Sequence, residues 1–366
     1  MNLLQKQGFF NSIILYFGTA LGFFNLIILF QRYLTVEEIG FFQLMVVISI
    51  LYAQVSSLGL NGVILRSFPY YRSEDKKHSG FTTLVLVWTL LSFSVFTIFF
   101  ILSKGTITNY YKNDEGVELL TRNYYYLIPI SFFTLAFTIL ESMARLVYKN
   151  VYSAFLKEVL LRVFTSFSII LVAFSVVDFQ DFLTIYLLAN GLICLLLWYD
   201  LSKTKYFSFA PIHESIIGKK KELLHYGSFA VLGGGSFNLV QSMGILMLTE
   251  ITKSLEYAGI YGTFAGIAIV ISLPSKALSR TSYQIVAEAW AKKDLEKINR
   301  IYYKTSLIQA FVGCLIMVGL IVNQRNLIYL LHKPEYNEYY NVLLVVGLAF
   351  LVDITGGLNG QIINLS

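Results

Sequence analysis

Apolar runs of roughly 20 residues recur along the chain between short polar segments, and a run of that length crosses a bilayer as a helix. Ten spans are expected, near residues 9–31, 40–68, 81–103, 123–147, 153–177, 182–199, 224–249, 257–287, 302–323 and 342–363. Barrel strands would be about half as long and strictly alternating, so the pattern predicts an all-α integral membrane protein. The first run lacks a small-residue cleavage site and is too long for a signal peptide, so it counts as a helix. The longer connections, at 69–80, 104–122, 200–223, 288–301 and 324–341, leave no room for an extramembrane domain.

The pattern also repeats. Shifted back by 219 positions (223 onto 4), Leu223–Arg300 lies on Leu4–Phe81 without a gap. Gly227 falls on Gly8, Phe229 on Phe10, Glu256 on Glu37 and Gly259 on Gly40. Each copy runs from a polar lead-in through an apolar span, a short acidic turn and a second apolar span to a charged loop. One period contains six spans, so both halves enter the membrane in the same sense, as parallel repeats do. The expected architecture is a two-lobed helical bundle of parallel six-helix repeats. Residues 1–199 form the N-terminal lobe, 200–223 a cytoplasmic linker, and 224–366 a C-terminal lobe holding four of an expected six or more helices. The second lobe is therefore expected to be truncated, with a fragment favoured over a complete chain.

Composition agrees: 56% of residues are hydrophobic and 14% charged, which excludes a soluble globular domain. Cys194 and Cys314 sit deep in apolar runs and His78, His213, His225 and His332 are scattered, so neither a disulfide nor a metal site is expected. The net charge of +6 is explained by membrane loops, with no nucleic-acid partner. With the N-terminus inside, fourteen of the 28 lysines and arginines fall in cytoplasmic loops and seven in the opposite ones, the bias membrane proteins follow.

The remaining seven basic residues lie within spans: Arg66, Arg145, Lys157, Arg162, Lys276, Arg280 and Lys304. Lys157 and Lys304 are shallow enough to snorkel. Glu141 and Glu158 stand four residues before Arg145 and Arg162, on the same helix face, so each pair can neutralise itself in part. Arg66, Lys276 and Arg280 have no local partner, and a charge at bilayer depth costs roughly 2.5–3.5 kcal/mol unless it faces a wet cavity. Such a cation-lined cavity suits phosphate or carboxylate. Snorkelling to lipid head groups is the bland alternative for each cation. Asn25, Asn61, Asn190, Asn238 and Gln241 add intramembrane polar groups. Gly18, Gly22 and Asn25 share a face that invites close helix approach, and Pro274 and Gly233–Gly234–Gly235 are expected bending points.

The opening Gly8–Arg32 span, the turn Leu34–Thr35–Val36–Glu37–Glu38–Ile39–Gly40–Phe41–Phe42, the segment Ser57–Leu58–Gly59–Leu60–Asn61–Gly62 before Arg66, and the echo Leu255–Glu256–Tyr257–Ala258–Gly259–Ile260–Tyr261 together carry a resemblance. The chain resembles the polysaccharide-biosynthesis and O-antigen flippases, translocases of lipid-linked oligosaccharide in the multidrug/oligosaccharidyl-lipid/polysaccharide exporter superfamily. The resemblance implies two six-helix lobes, alternating access, and an undecaprenyl-diphosphate-linked glycan carried from the cytoplasmic to the outer leaflet of a bacterial inner membrane. It implies that basic residues take the diphosphate: Arg66, Lys276 and Arg280 first, Arg145 and Arg162 second, with Asn25, Asn238 and Gln241 as polar neighbours. Asn25 stands where related flippases often place a basic residue. Membrane lipid and glycan polymerase or assembly proteins are the implied partners. No cofactor is expected, although coupling to an ion gradient, ion unspecified, fits the superfamily. A multidrug or cation-coupled antiporter is the alternative, ahead of a membrane glycan polymerase or ligase. No nucleophile, metal or nucleotide motif points to an enzyme.

Overall fold

The computed structural model describes residues 3–73, 78–111, 114–204, 207, 209–275, 278, 286, 289–290, 292–359 and 362. Every regular element among them is helical. Among the described residues, seven helices are long and apolar enough to cross a membrane: Phe9–Tyr33, Val36–Ser56, His78–Tyr110, Tyr124–Leu146, Phe179–Ser202, Leu255–Ser275 and Leu295–Val322. The chain is thus a multi-pass membrane protein. Its surface carries the matching signature, for Leu91, Val95, Phe99 and Leu102 form an exposed apolar stripe on one helix, and Phe311, Leu315, Val318 and Val322 form another. In water such stripes would be liabilities; against lipid they are the rule.

Ten spans were expected, and three of those stretches are helical without meeting the same measure. Residues 150–173 are broken by a π-helical turn at Leu156–Leu160, which also carries Lys157 and Glu158. The Lys220–Thr252 helix is 33 residues long but is diluted by glycine and polar residues. Tyr340–Thr355 has only 16 residues. A second difference concerns the expected 40–68 span. It is two helices, Val36–Ser56 and Leu60–Tyr71, because Leu58 (φ 47°) and Gly59 (φ 74°) adopt left-handed backbone between them. Gly59 is required there twice over, since a side chain at that position would also strike the backbone of Gly227.

The Val36–Ser56 helix starts where its sequence says it should. Thr35 Oγ1 accepts from the Glu38 amide at 3.1 Å and the Thr35 amide donates to Glu38 Oε2 at 2.8 Å, a complete capping box. Asp178 and Asp181 do the same for Phe179–Ser202. Just before Pro274, which has no amide donor, the helix tightens to a 3-10 turn over Ile269–Ser272.

The chain divides into two compact units. The larger comprises Phe9–Gly22 and Tyr33–Gly259, and the Leu127–Leu146 helix packs there against Val36–Ser56 and Phe179–Ser202. Its core includes Val63, Ile64, Phe81, Leu135, Leu197 and Leu201. The smaller comprises Met1–Gly8, Phe23–Arg32 and Ile260–Ser366, where Leu295–Val322 pairs with Tyr340–Thr355 around Ile271, Met317 and Ile354. Surrounding lipid is as apolar as these side chains, so close contact, rather than escape from water, holds the helices together.

Candidate functional site

Within the larger unit the Lys220–Thr252 helix lies along Val36–Ser56 and Leu60–Tyr71 in antiparallel register. Arg66 faces Tyr226, Gly62 faces Ala230, and Gln54 faces Asn238, so each step along one partner is matched by an equal step back along the other. The approach is close because the meeting residues are small: Gly59 fits against Gly227, and a methyl at Gly62 would meet Ala230 Cβ at 2.7 Å. Polar groups stand at both ends of this glycine contact. Asn238 Nδ2 donates to Gln54 Oε1 at 3.2 Å. At the other end the Arg66 guanidinium lies over the Tyr226 ring, 4.3 Å from its centroid.

That stack holds the cation without neutralising it. A ring face attracts the guanidinium through its quadrupole and leaves the edge N–H groups available to a carboxylate or phosphate. Among the described residues no carboxylate pairs with Arg66, and the side chain is exposed. The other two described arginines of the expected site are in different settings. Arg145 pairs with Glu141 at 3.0 Å and is exposed. Arg162 pairs with Glu158 at 2.9 Å and donates to the Gly18 carbonyl on the first helix. The glycines make room for it, since a methyl at Gly18 would sit 2.5 Å from the Glu158 carbonyl and one at Gly22 would sit 2.6 Å from Arg162 Nη1.

Asn25 is buried in the smaller unit at the start of a π-helical turn, Asn25–Leu29. Asn238 is half-buried in the seam, and Gln241, one turn on, is exposed. Lys276 and Arg280 lie outside the described residues.

Two further polar clusters lie outside the expected site. In the larger unit, Tyr110 and Tyr111 each donate to Glu250, at 2.5 Å, and Lys253 binds the same carboxylate at 2.7 Å. The Lys253 ammonium also lies over both rings, at 3.8 and 4.6 Å. Glu250 follows the expected 224–249 span, and hydrogen bonds from Lys253, Tyr110 and Tyr111 hold its carboxyl down at about 2. Burial, reinforced by the Glu250 contact, pushes the Tyr111 phenol up to about 12. In the smaller unit, buried Gln31 donates to Thr263 Oγ1 at 3.2 Å, which lies 3.1 Å from the hydroxyl of buried Tyr336. The three-residue spacing of Glu250 and Lys253 was a local signal. Nothing local marked their tyrosines, or Tyr226 beneath Arg66.

Comparison with known proteins identifies the family and the fold. A family profile described as "Polysaccharide biosynthesis protein" matches residues 29–341. Curated protein sequences give no significant match. Among solved structures the fold is similar to an inward-facing multidrug resistance MATE family transporter of the MOP superfamily, with TM-score 0.68, 14% identity, and coverage of 97% of this chain and 87% of that one. It is also similar to MATE in the straight conformation, with TM-score 0.58, 15% identity, and 98% and 84% coverage. At such identities the likeness establishes the fold.

Proposed function

The chain belongs to the polysaccharide biosynthesis protein family, and from that premise we propose that it is a flippase moving a polyprenyl-diphosphate-linked oligosaccharide between leaflets by alternating access. The repeat-related lobes, 1–199 and 224–366, would rock about the 200–223 linker, with the N-terminus in the cytoplasm and the protein in a bacterial inner membrane. The observation that carries the reading is Arg66: an exposed guanidinium held on an aromatic face, unpaired with any described carboxylate. A diphosphate leaving the head-group layer needs compensation as it enters a low-dielectric interior. A stacked arginine offers it a bidentate partner at small cost in side-chain freedom. Lys276 and Arg280 would complete the cation set. Arg145 and Arg162, bound to Glu141 and Glu158, are secondary, and Asn238 and Gln241 would meet sugar hydroxyls. Asn25 is a further polar contact.

Export of surface glycan in cells carrying only the variant protein tests the proposal. Arg66→Gln should abolish export while membrane insertion persists, Arg66→Lys should restore part of it, and Tyr226→Ala should fall between. Normal glycan export by Arg66→Gln would reduce Arg66 to a snorkelling anchor. The drug or cation-coupled antiporter reading draws on the MATE structures; drug efflux in proteoliposomes, unaffected by lipid-linked glycan, would favour it.

A further inference from the structure

In the larger unit, three helices leave an apolar groove between them, lined from Thr82 to Leu90 on the Phe81–Tyr110 helix, from Phe132 to Met143 on Leu127–Leu146, and from Gly191 to Trp198 on Phe179–Ser202. It encloses about 840 Å³, part of it open to the surroundings. Phe207 and Phe209 of the 200–223 segment line one end. That segment is fastened where it passes: Thr83 Oγ1 donates to the Ala210 carbonyl at 2.7 Å and accepts from the Ala210 amide at 3.1 Å, while the His213 amide donates to the Ser79 carbonyl at 2.9 Å.

We infer that this groove binds one acyl chain of a bilayer phospholipid from the leaflet on the side of the 200–223 segment, with its ester carbonyl at Thr82. Three observations point to that occupant. Leu86, Leu90, Leu195 and Trp198 are exposed, so the groove opens on the surface that a bilayer covers, where hydrocarbon chains are the medium. Its length is right: Phe132 to Met143 spans ~16 Å at 1.5 Å per residue, close to the ~15 Å half-thickness of a hydrocarbon core. Its polarity is right too. Thr82 is 2% exposed, lines the groove, and its Oγ1 has no hydrogen-bond partner. A buried hydroxyl left unpaired is costly, and it stands in the first turn of the Phe81–Tyr110 helix, at the end nearest the 200–223 segment, where a donor could meet an ester carbonyl. Gly191 gives the chain passage by leaving the Phe133 ring uncovered; a methyl there would stand 3.1 Å from it. The site is independent of the transported substrate, and in the orientation expected from the basic loops it faces the cytoplasmic leaflet. Its lipid would wedge the three helices and seat the linker.

Photolabelling tests this. The full-length protein is placed in nanodiscs containing a phospholipid with a diazirine midway along one acyl chain, irradiated, and its adducts mapped by peptide mass spectrometry. Adducts should concentrate on 82–90, 132–143 and 191–198, well above the exposed Leu91–Leu102 stripe. Ala136→Trp, which fills the groove, should cut that labelling several-fold, and Thr82→Val should lower it while preserving shape. If Ala136→Trp does not fold, Thr82→Val decides alone. Even labelling of all lipid-facing helices, or unchanged labelling in the folded variants, overturns the site. Loss of label to added polyprenyl phosphate but not to excess unlabelled phospholipid overturns the occupant, assigning the groove to an isoprenoid chain.

Discussion

At residue 31 the first copy of the internal repeat carries a glutamine; at the matching position of the second copy, 250, it carries a glutamate. Both side chains tie the end of a long helix to a tyrosine-bearing neighbour. Gln31 does so as a neutral amide, 2% exposed, reaching Thr263 and through it Tyr336. Glu250 does so as an anion at the surface, gripping two tyrosines and Lys253. The surroundings explain the exchange. A carboxylate in the Gln31 niche would lose its water, and among the described residues no ion pair reaches that niche, whereas at 250 water and Lys253 both remain within reach. The following turns diverge likewise. Thr35 and Glu38 close a capping box, but the second copy has Ser254 and Tyr257, so no carboxylate can complete one. What both copies keep is glycine. A side chain on Gly40 would strike Leu255 and Gly259, and one on Gly259 would strike Val36 and Gly40. Val36 and Leu255 are themselves repeat partners, so the contact is reciprocal. Chemistry has drifted between the copies while the crossing has not.

Breaking the shared element should have the largest effect. Gly40→Val or Gly259→Val places a side chain against backbone that cannot step aside, at ~3 kcal/mol or more; neither should yield a monodisperse peak by fluorescence-detected size exclusion. Gly233→Ala, which meets nothing within 4 Å, should instead raise the thermal midpoint slightly, as alanine favours a helix interior. Exchanging the tethers sharpens the contrast. Gln31→Glu should cost ~3 kcal/mol near neutral pH by burying an uncompensated charge, whereas Glu250→Gln, at an exposed pair, should cost less than ~1 kcal/mol. The sign of the pH dependence is set by Glu250. Its carboxyl is held at about 2, below the ordinary 4.5, so its contribution is complete above pH 4.5 and drains away as the pH falls toward 2. Wild type and Glu250→Gln should therefore differ in thermal midpoint at pH 6 and converge at pH 2; a constant gap would remove the carboxylate from the account. The smallest effect is at the caps. Thr35→Ala should lose ~1 kcal/mol and Ser254→Ala less, a comparison that equal losses would erase.

Much of this was legible along the chain because it depends on neighbours. Apolar runs place the helices, four-residue spacing predicts the Glu141–Arg145 and Glu158–Arg162 pairs, and Gly18 and Gly22 announce a close approach. The spacing could not say that the approaching group would be the Glu158–Arg162 pair itself. Nor could composition reveal the break at Leu58–Gly59, since a glycine in an apolar run ordinarily continues the helix and only the contact with Gly227 makes the turn worthwhile. The aromatic platform under Arg66, the Gln54–Asn238 bond across 184 residues and the tyrosines reaching Glu250 across about 140 were set by packing. A membrane helix bonds its own backbone and so can be read from a single run of sequence. Which side chains meet across two helices depends on their rotation and crossing, and those are settled only when every helix has found its neighbours.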